Sequence, residues 1–248
     1  MLIPIFNPII NNKKVWAFND SRLPSLAYGF DARSLSYLWQ DVSMSTAVAS
    51  HGQTVAAWSD FSGNARHLTQ ATSGNRPTYQ TSVVNSAIPG LLFDGVNDTL
   101  KKTSTPSLAQ PLSIFTVIKH NSLVAGSFIC DGYGTTAGRV RICMSSAYYR
   151  SLNAGSNLTS ANLADTSPHF HSALFNGTQS EYYIDGALEV FGDAGTQPQE
   201  GLTVGGNRSQ PSTASMGGHI SLFLVYNGLV TEYQRKQIEA TIASEFRF

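Results

Sequence analysis

An all-β, antiparallel two-sheet sandwich closed by one C-terminal helix is the fold class this sequence predicts, on three observations. From about residue 110 onward the chain breaks into short apolar and β-branched runs separated by Gly, Asn and Asp pairs, the pattern of strands joined by tight turns. Two turns are sharp. Asp185-Gly186 in "YYIDGALEV" is the dipeptide a two-residue type I′ hairpin requires, because both central residues take positive φ, and Asn176-Gly177 in "FNGTQ" makes a similar connection. One helix is signalled, at the end: Thr231 and Gln234 form a capping box, and Ile238, Ile242 and Phe246 follow on one face.

In chain order, the opening "MLIPIFNPII" is apolar but interrupted by prolines. Its basic residues follow it and no small-residue cleavage site comes next, so residues 1–29 read as an ordered arm rather than an export signal. Between residues 30 and 110, turns such as "FSGN", "TSGN" and "IPG" leave room for short strands and long connections. No internal repeat or linker separates this part from the rest, so residues 30–248 read as one domain. The strand-like runs continue with "LSIFTVIKH", "GSFICDGYG" and "GRVRICMS", and residues 170–191 read as a three-strand meander. In "ISLFLVY", Ile220, Leu222, Leu224 and Tyr226 alternate with Ser221, Phe223 and Val225, and the helix stripe is expected to pack on the first set.

Composition narrows the function classes. Hydrophobic residues make up 42% of the 248 and charged residues 13%, about half the roughly 25% of an average soluble domain, so hydroxyls, amides and glycine cover the surface. Sixteen basic and sixteen acidic residues cancel, and no basic run exceeds Lys13-Lys14 or Lys101-Lys102, which argues against nucleic acid and anionic membranes as partners. No stretch approaches the roughly 18 apolar residues of a membrane span. Cys130 and Cys143 make no disulfide framework and no zinc spacing. They flank "DGYGTTAGRVRI" as if facing across a hairpin, with a bond disfavoured in a reducing cytoplasm.

Several segments, in order, resemble the laminin-G-like, concanavalin A-like jelly-roll domains of bacteriophage virion and bacterial surface proteins. "WSDFSGNARH" followed by "RPTY" is similar to that family's opening segment, "LLFDGVNDTL" to its FDG strand, "YYIDG" to its hairpin, and "GGHISLFLVYNGLVTEYQRKQIEATIASEF" to its last strand and closing helix. The resemblance covers about residues 30–246 and implies a two-sheet jelly roll. It further implies a virion protein of the tail-decoration or head-decoration kind, assembled in the host cytoplasm. The arm would then dock on other virion proteins, and a homo-oligomer stays open.

The loop from Trp58 to Gln80 holds Arg66, His67 and Arg76, but its turn-forming residues make it structural first, with Trp58 and Tyr79 as anchors and Asp60 and Asn64 bonding to nearby backbone. No catalytic constellation is legible. The E-x-D-x-E strand of retaining glycosidases is absent; its nearest approach, Glu181 and Asp185 in "EYYID", ends on the hairpin turn. The chain is therefore expected not to be an enzyme; a polysaccharide depolymerase would have to pair Glu181 with an acid distant in sequence. His169 and His171 share a strand face, read as a polar edge or surface position rather than a metal site. Asp94, Asn97 and Asp98 offer oxygens for Ca²⁺, but Asx-turn bonding is the preferred reading and no cofactor is expected. Sugar binding asks for aromatic faces and planar hydrogen-bonding groups. Tyr133, Tyr148, Tyr149, Arg150 and Asn153 are the candidates, for a host-surface polysaccharide, and at least one of Tyr148 and Tyr149 is expected in the core.

Overall fold

The structure is a computed structural model and describes residues 17–133, 138–208 and 214–248; most of the expected arm, residues 1–16, lies outside the described residues. Among the described residues, two antiparallel sheets of eight and nine strands face each other. The fold is the two-sheet sandwich that the strand pattern predicts.

The eight-stranded sheet is organised around Gly217–Asn227. One edge of this strand pairs with Leu112–His120 along its length. The other edge takes two partners in tandem, Ile88–Asp94 on Gly217 to Ile220 and Ser25–Asp31 on Leu222 to Asn227. Residues 25–29 of the expected arm therefore belong to the sheet, and the Tyr226 hydroxyl donates to the Phe18 carbonyl at 2.7 Å. Outside Leu112–His120 comes the meander Pro168–Phe175, Ser180–Ile184 and Ala187–Gly192. Its second turn has Asp185 at φ 50° and Gly186 at φ 79°, the geometry read from the dipeptide. Its first turn differs: Asn176 takes φ −147° and Gly177–Gln179 forms a single 3₁₀ turn. The Ser180 hydroxyl accepts from Asn176 N–H and donates to the Gly177 carbonyl, which holds that longer connection.

Two apolar clusters result. Between the sheets lie Trp58, Phe30, Phe93, Ile142, Leu152, Tyr182 and their neighbours. On the far side of the eight-stranded sheet, Ile238, Ile242 and Phe246 of the helix Glu232–Phe246 pack with Leu222, Leu224 and Tyr226. Thr231 Oγ1 accepts from Gln234 N–H and Gln234 Oε1 accepts from Thr231 N–H, completing the capping box. Ile220 departs from the expected alternation. A bulge between Ile220 and Leu222 turns it into the inter-sheet cluster with Phe223 and Val225, because one extra residue reverses the faces that follow.

Cys130 stands opposite Ile142, and Cys143 opposite Phe128, across a second bulge; both thiols are free. Burial raises both thiols, Cys143 to about 11, so neither has nucleophile character near neutral pH. No helix among the described residues is long and apolar enough to cross a membrane.

The helix stripe gives a direct test of this packing. Ile242 is fully buried, and replacing a buried Ile by Ala costs about 2 to 5 kcal/mol through lost transfer energy and a residual cavity. Ile242→Ala is expected to lower the melting temperature by several degrees in a thermal scan; an unchanged melting temperature would show that the helix is not bound to the sheet.

Candidate functional site

The Trp58 to Gln80 loop is consumed by structure. The Asp60 carboxylate accepts from the backbone N–H groups of Gly29, Ser62 and Arg66, and its own N–H donates to His67 Nδ1. Asn64 donates to the Leu26 and Ala27 carbonyls, Arg66 to Ala27, and Arg76 to the carbonyls of Gln40, Gln70 and Ala71. Trp58 and Tyr79 are buried anchors.

Strand pairing builds a different site, on the outer face of the nine-stranded sheet. Leu158, Leu152, Ile142, Cys130, Val204 and Leu100 stand in one transverse row and all point into the inter-sheet core. Side chains alternate faces along a strand, so the next rung points outward. That rung reads Asn157, Asn153, Arg141, Asp131, Thr203, Lys101 and Thr69. Asp131 accepts from Nε and Nη2 of one edge of the Arg139 guanidinium and from the Arg208 N–H. Arg141 Nη2 donates to Asn153 Oδ1, and Asn153 Nδ2 donates to Asn157 Oδ1 at 2.6 Å. Among the described residues, two buried donors on this rung have no partner: Arg141 Nε and Thr203 Oγ1. Burial, then the nearby Arg139 and Arg208, lower the pKa of Arg141. At the rung's far end a cavity of about 450 Å³ opens beside Thr69, Lys101 and His67, and Lys101 Nζ lies 5.4 Å from the centre of the Tyr133 ring.

Of the five sugar candidates, Asn153 is on this rung, Tyr149 lies two rungs along on the same face, and Tyr133 is at the rim. Arg150 is on the opposite face, donating to the Leu163 carbonyl and to Asp165. Neither Tyr148 nor Tyr149 enters the core. Tyr148 is 41% exposed on a turn at φ 66°, and Tyr149 is half-buried on the open face. Sequence reading passed over Arg139, Arg141, Asp131 and Thr203, although the alternation in "GRVRI" places both arginines on one face.

The calcium candidates are turned onto their own backbone. Asp94 Oδ1 accepts from the N–H groups of Val96, Asn97 and Asp98, and Asp98 Oδ2 accepts from Asp94 N–H. Burial, then Asp94, raise the Asp98 pKa to about 7. His171 is not a surface residue: it is 2% exposed and its Nδ1 lies 2.6 Å from the Tyr182 hydroxyl, because its strand is covered on both faces. His169 bridges Asp165 and Asp185. Among the described residues no group of three His, Cys, Asp or Glu has the arrangement of a metal site. Glu181 accepts from the Tyr183 hydroxyl and lines a cleft of about 560 Å³ with Asn176, Gln179 and Arg235. Asp185 shapes the hairpin, as expected, accepting from Phe170 N–H.

No family model matches the chain, and no curated protein is similar to it in sequence. Solved structures do share its fold. The Trypanosoma rangeli sialidase superposes with a TM-score of 0.57 at 12% identity, over 89% of this chain and 33% of the sialidase. Domain 4 of an extracellular arabinanase from Geobacillus stearothermophilus, solved with arabinotriose, gives 0.57 at 13% identity, over 86% of this chain and 97% of that domain. An α-L-arabinofuranosidase soaked with a cyclic sulfate inhibitor gives 0.59 at 10% identity, over 88% and 62%. These neighbours come from glycosidases. At such identities the likeness shows the fold alone, and this chain spans a third of the sialidase. None of the three links the fold to a phage particle. The expectation of a chain that is not an enzyme does not stand, because the fold it shares occurs in glycosidases.

The buried histidines generate a pH prediction. Burial first, then Arg150, lower His120 to about 4 and His171 well below its ordinary value. A base whose folded pKa is depressed contributes stability above its unfolded pKa of about 6.5, and that stability is lost as pH falls toward the folded value. For His120 the loss between pH 6.5 and 4 is about 3 kcal/mol. His169 is raised, by Asp185 first, so its contribution is fully present throughout this window. Asp98 gains stability in the same window, and is common to wild type and to His120→Gln. Chemical denaturation at pH 6.5 and pH 4 is therefore expected to show the wild type losing about 3 kcal/mol more than His120→Gln; equal losses would show that His120 titrates normally.

Proposed function

We propose that this chain is a carbohydrate-binding module whose saccharide lies across the outer face of the nine-stranded sheet. The observation that carries this reading is the outward rung itself, a line of planar amide, guanidinium, carboxylate and hydroxyl groups with two buried donors left unpaired. Buried donors without partners are costly, and a sugar hydroxyl or ring substituent satisfies them. Tyr133 and Tyr149 supply flat apolar faces at its edges, the usual partners of sugar rings. The carbohydrate-active neighbours support the same reading, one of them having been solved with arabinotriose.

The setting we attach to it is a virion surface, on the strength of the opening segment's resemblance to phage proteins. There the arm would join other virion proteins and the module would meet host polysaccharide. Residues 1–16, the greater part of that arm, lie outside the described residues. The glycosidase neighbours favour a second reading, hydrolysis of the bound saccharide, with Glu181 in its cleft as the carboxylate to examine. Release of reducing ends that Glu181→Gln abolishes would establish it.

For the primary reading the experiment is a glycan array at micromolar protein. Wild type is expected to bind a defined set of saccharides, and Asn153→Ala and Tyr133→Ala to weaken that binding at least tenfold with the fold intact by circular dichroism. Retained binding in both variants would move the site off this face.

A further inference from the structure

We propose that the saccharide taken by this face is acidic, with its carboxylate seated against Arg141 between Asp131 and Asn153. This rests on the glycan reading and names its ligand class. Elsewhere the guanidinium groups serve the fold: Arg66 and Arg76 donate to backbone carbonyls, Arg33 pairs with Asp31 and Glu245, Arg150 with Asp165, and Arg235 with Glu239. Arg141 is different. Its Nη2 is held by an amide oxygen, a neutral partner, and its Nε is buried without any partner.

Asp131, the carboxylate on the same rung, acts on Arg141 through space while its hydrogen bonds go elsewhere. Asp131 is fully buried and already accepts from Nε and Nη2 of Arg139 and from the Arg208 N–H. Among the described residues at this end, the cations Arg139, Arg141 and Lys101 face the carboxylates Asp131 and Glu200, whose side chain lies against Gly138. Positive charge is in excess there, in a chain whose net charge is zero. Burial first, and then the neighbouring Arg139, hold the Arg141 pKa below its ordinary value. An anion relieves that repulsion and supplies the missing acceptor. A planar carboxylate suits a guanidinium edge, where charge-assisted hydrogen bonds are short and directional. Thr203 Oγ1, fully buried and unpartnered, is a second donor on the same rung. Ser151 and Thr159, one pleat repeat along the same face, hydrogen-bond to each other at 3.1 Å, and Thr159 is the exposed member that a neighbouring ring substituent can reach.

The test uses the whole chain on an array of matched sets. Each uronate-bearing or ulosonate-bearing glycan stands beside its carboxyl-reduced neutral counterpart and a sulfated, carboxyl-reduced counterpart. Binding confined to carboxylated members, weakening at least tenfold on reduction and falling as NaCl rises from about 50 to about 300 mM, is the expected result. Arg141→Gln is expected to erase the preference for the acid and the salt dependence, and Arg141→Lys to restore part of both, with melting temperatures recorded for each variant. Equal binding of neutral members would overturn the acidic ligand and leave the glycan reading standing. Equal binding of sulfated members would overturn the commitment to a carboxylate, and no binding to any member would overturn both readings.

Discussion

The pairing of Gly217–Asn227 with three other strands is the constraint on which the rest of this fold depends. One edge is a continuous ladder to Leu112–His120; the other is divided between Ile88–Asp94 and Ser25–Asp31. The bulge falls where the partner changes, and the Ser221 carbonyl there accepts from Ala32 N–H at 2.9 Å. Because side-chain faces have a period of two, one extra residue lets Ile220 and Phe223 serve the inter-sheet core while Leu222, Leu224 and Tyr226 serve the helix. The start of the strand runs so close to its neighbour that a Cβ on Gly218 would stand 2.3 Å from the Lys119 carbonyl oxygen. Glycine at this position is a condition of the ladder.

An asymmetry between the sheets follows. With the helix on its outer face, the eight-stranded sheet is buried on both sides, and Leu112–His120 reads as a nearly continuous apolar run. The nine-stranded sheet commits one face to the apolar core, and its other face carries polar side chains, of which Asp131, Thr203, Ser151 and Asn153 are buried. Those side chains are held by backbone ladders rather than by loops, and each stands directly in front of a buried apolar residue of the next rung. Rigid support of this kind lowers the entropy lost when a ligand binds.

How much of this was legible depends on how local each signal is. Asp185-Gly186, the capping box and the Ile238, Ile242, Phe246 stripe lie within a few residues of sequence, and each is where the pattern put it. The first hundred residues gave little, because Leu38–Trp39, Ala57–Trp58 and Leu68–Thr69 are two residues long and carry no period. The faces of Ile220 and of Tyr148 followed a bulge and a positive φ, neither of which a period-two reading contains. The polar rung was the least legible element, since it joins residues from Thr69 to Thr203 through register alone. Its one local trace is the alternation of Arg139 and Arg141 with Val140 and Ile142.

The same alternation ties the outer face to the interior. On Tyr149–Asn153, Ser151 and Asn153 point outward while Arg150 and Leu152 point inward. Arg150 holds Asp165, Asp165 holds His169, and His169 holds Asp185 at the meander hairpin. Breaking that chain would leave Arg150 beside His120 and His171 with an unbalanced charge, in a region with little water to screen it. The strand bearing Asn153 is thus fixed from behind by charge and from its edges by hydrogen bonds, and the position of Asn153 relative to Arg141 is set by the interior as much as by the surface.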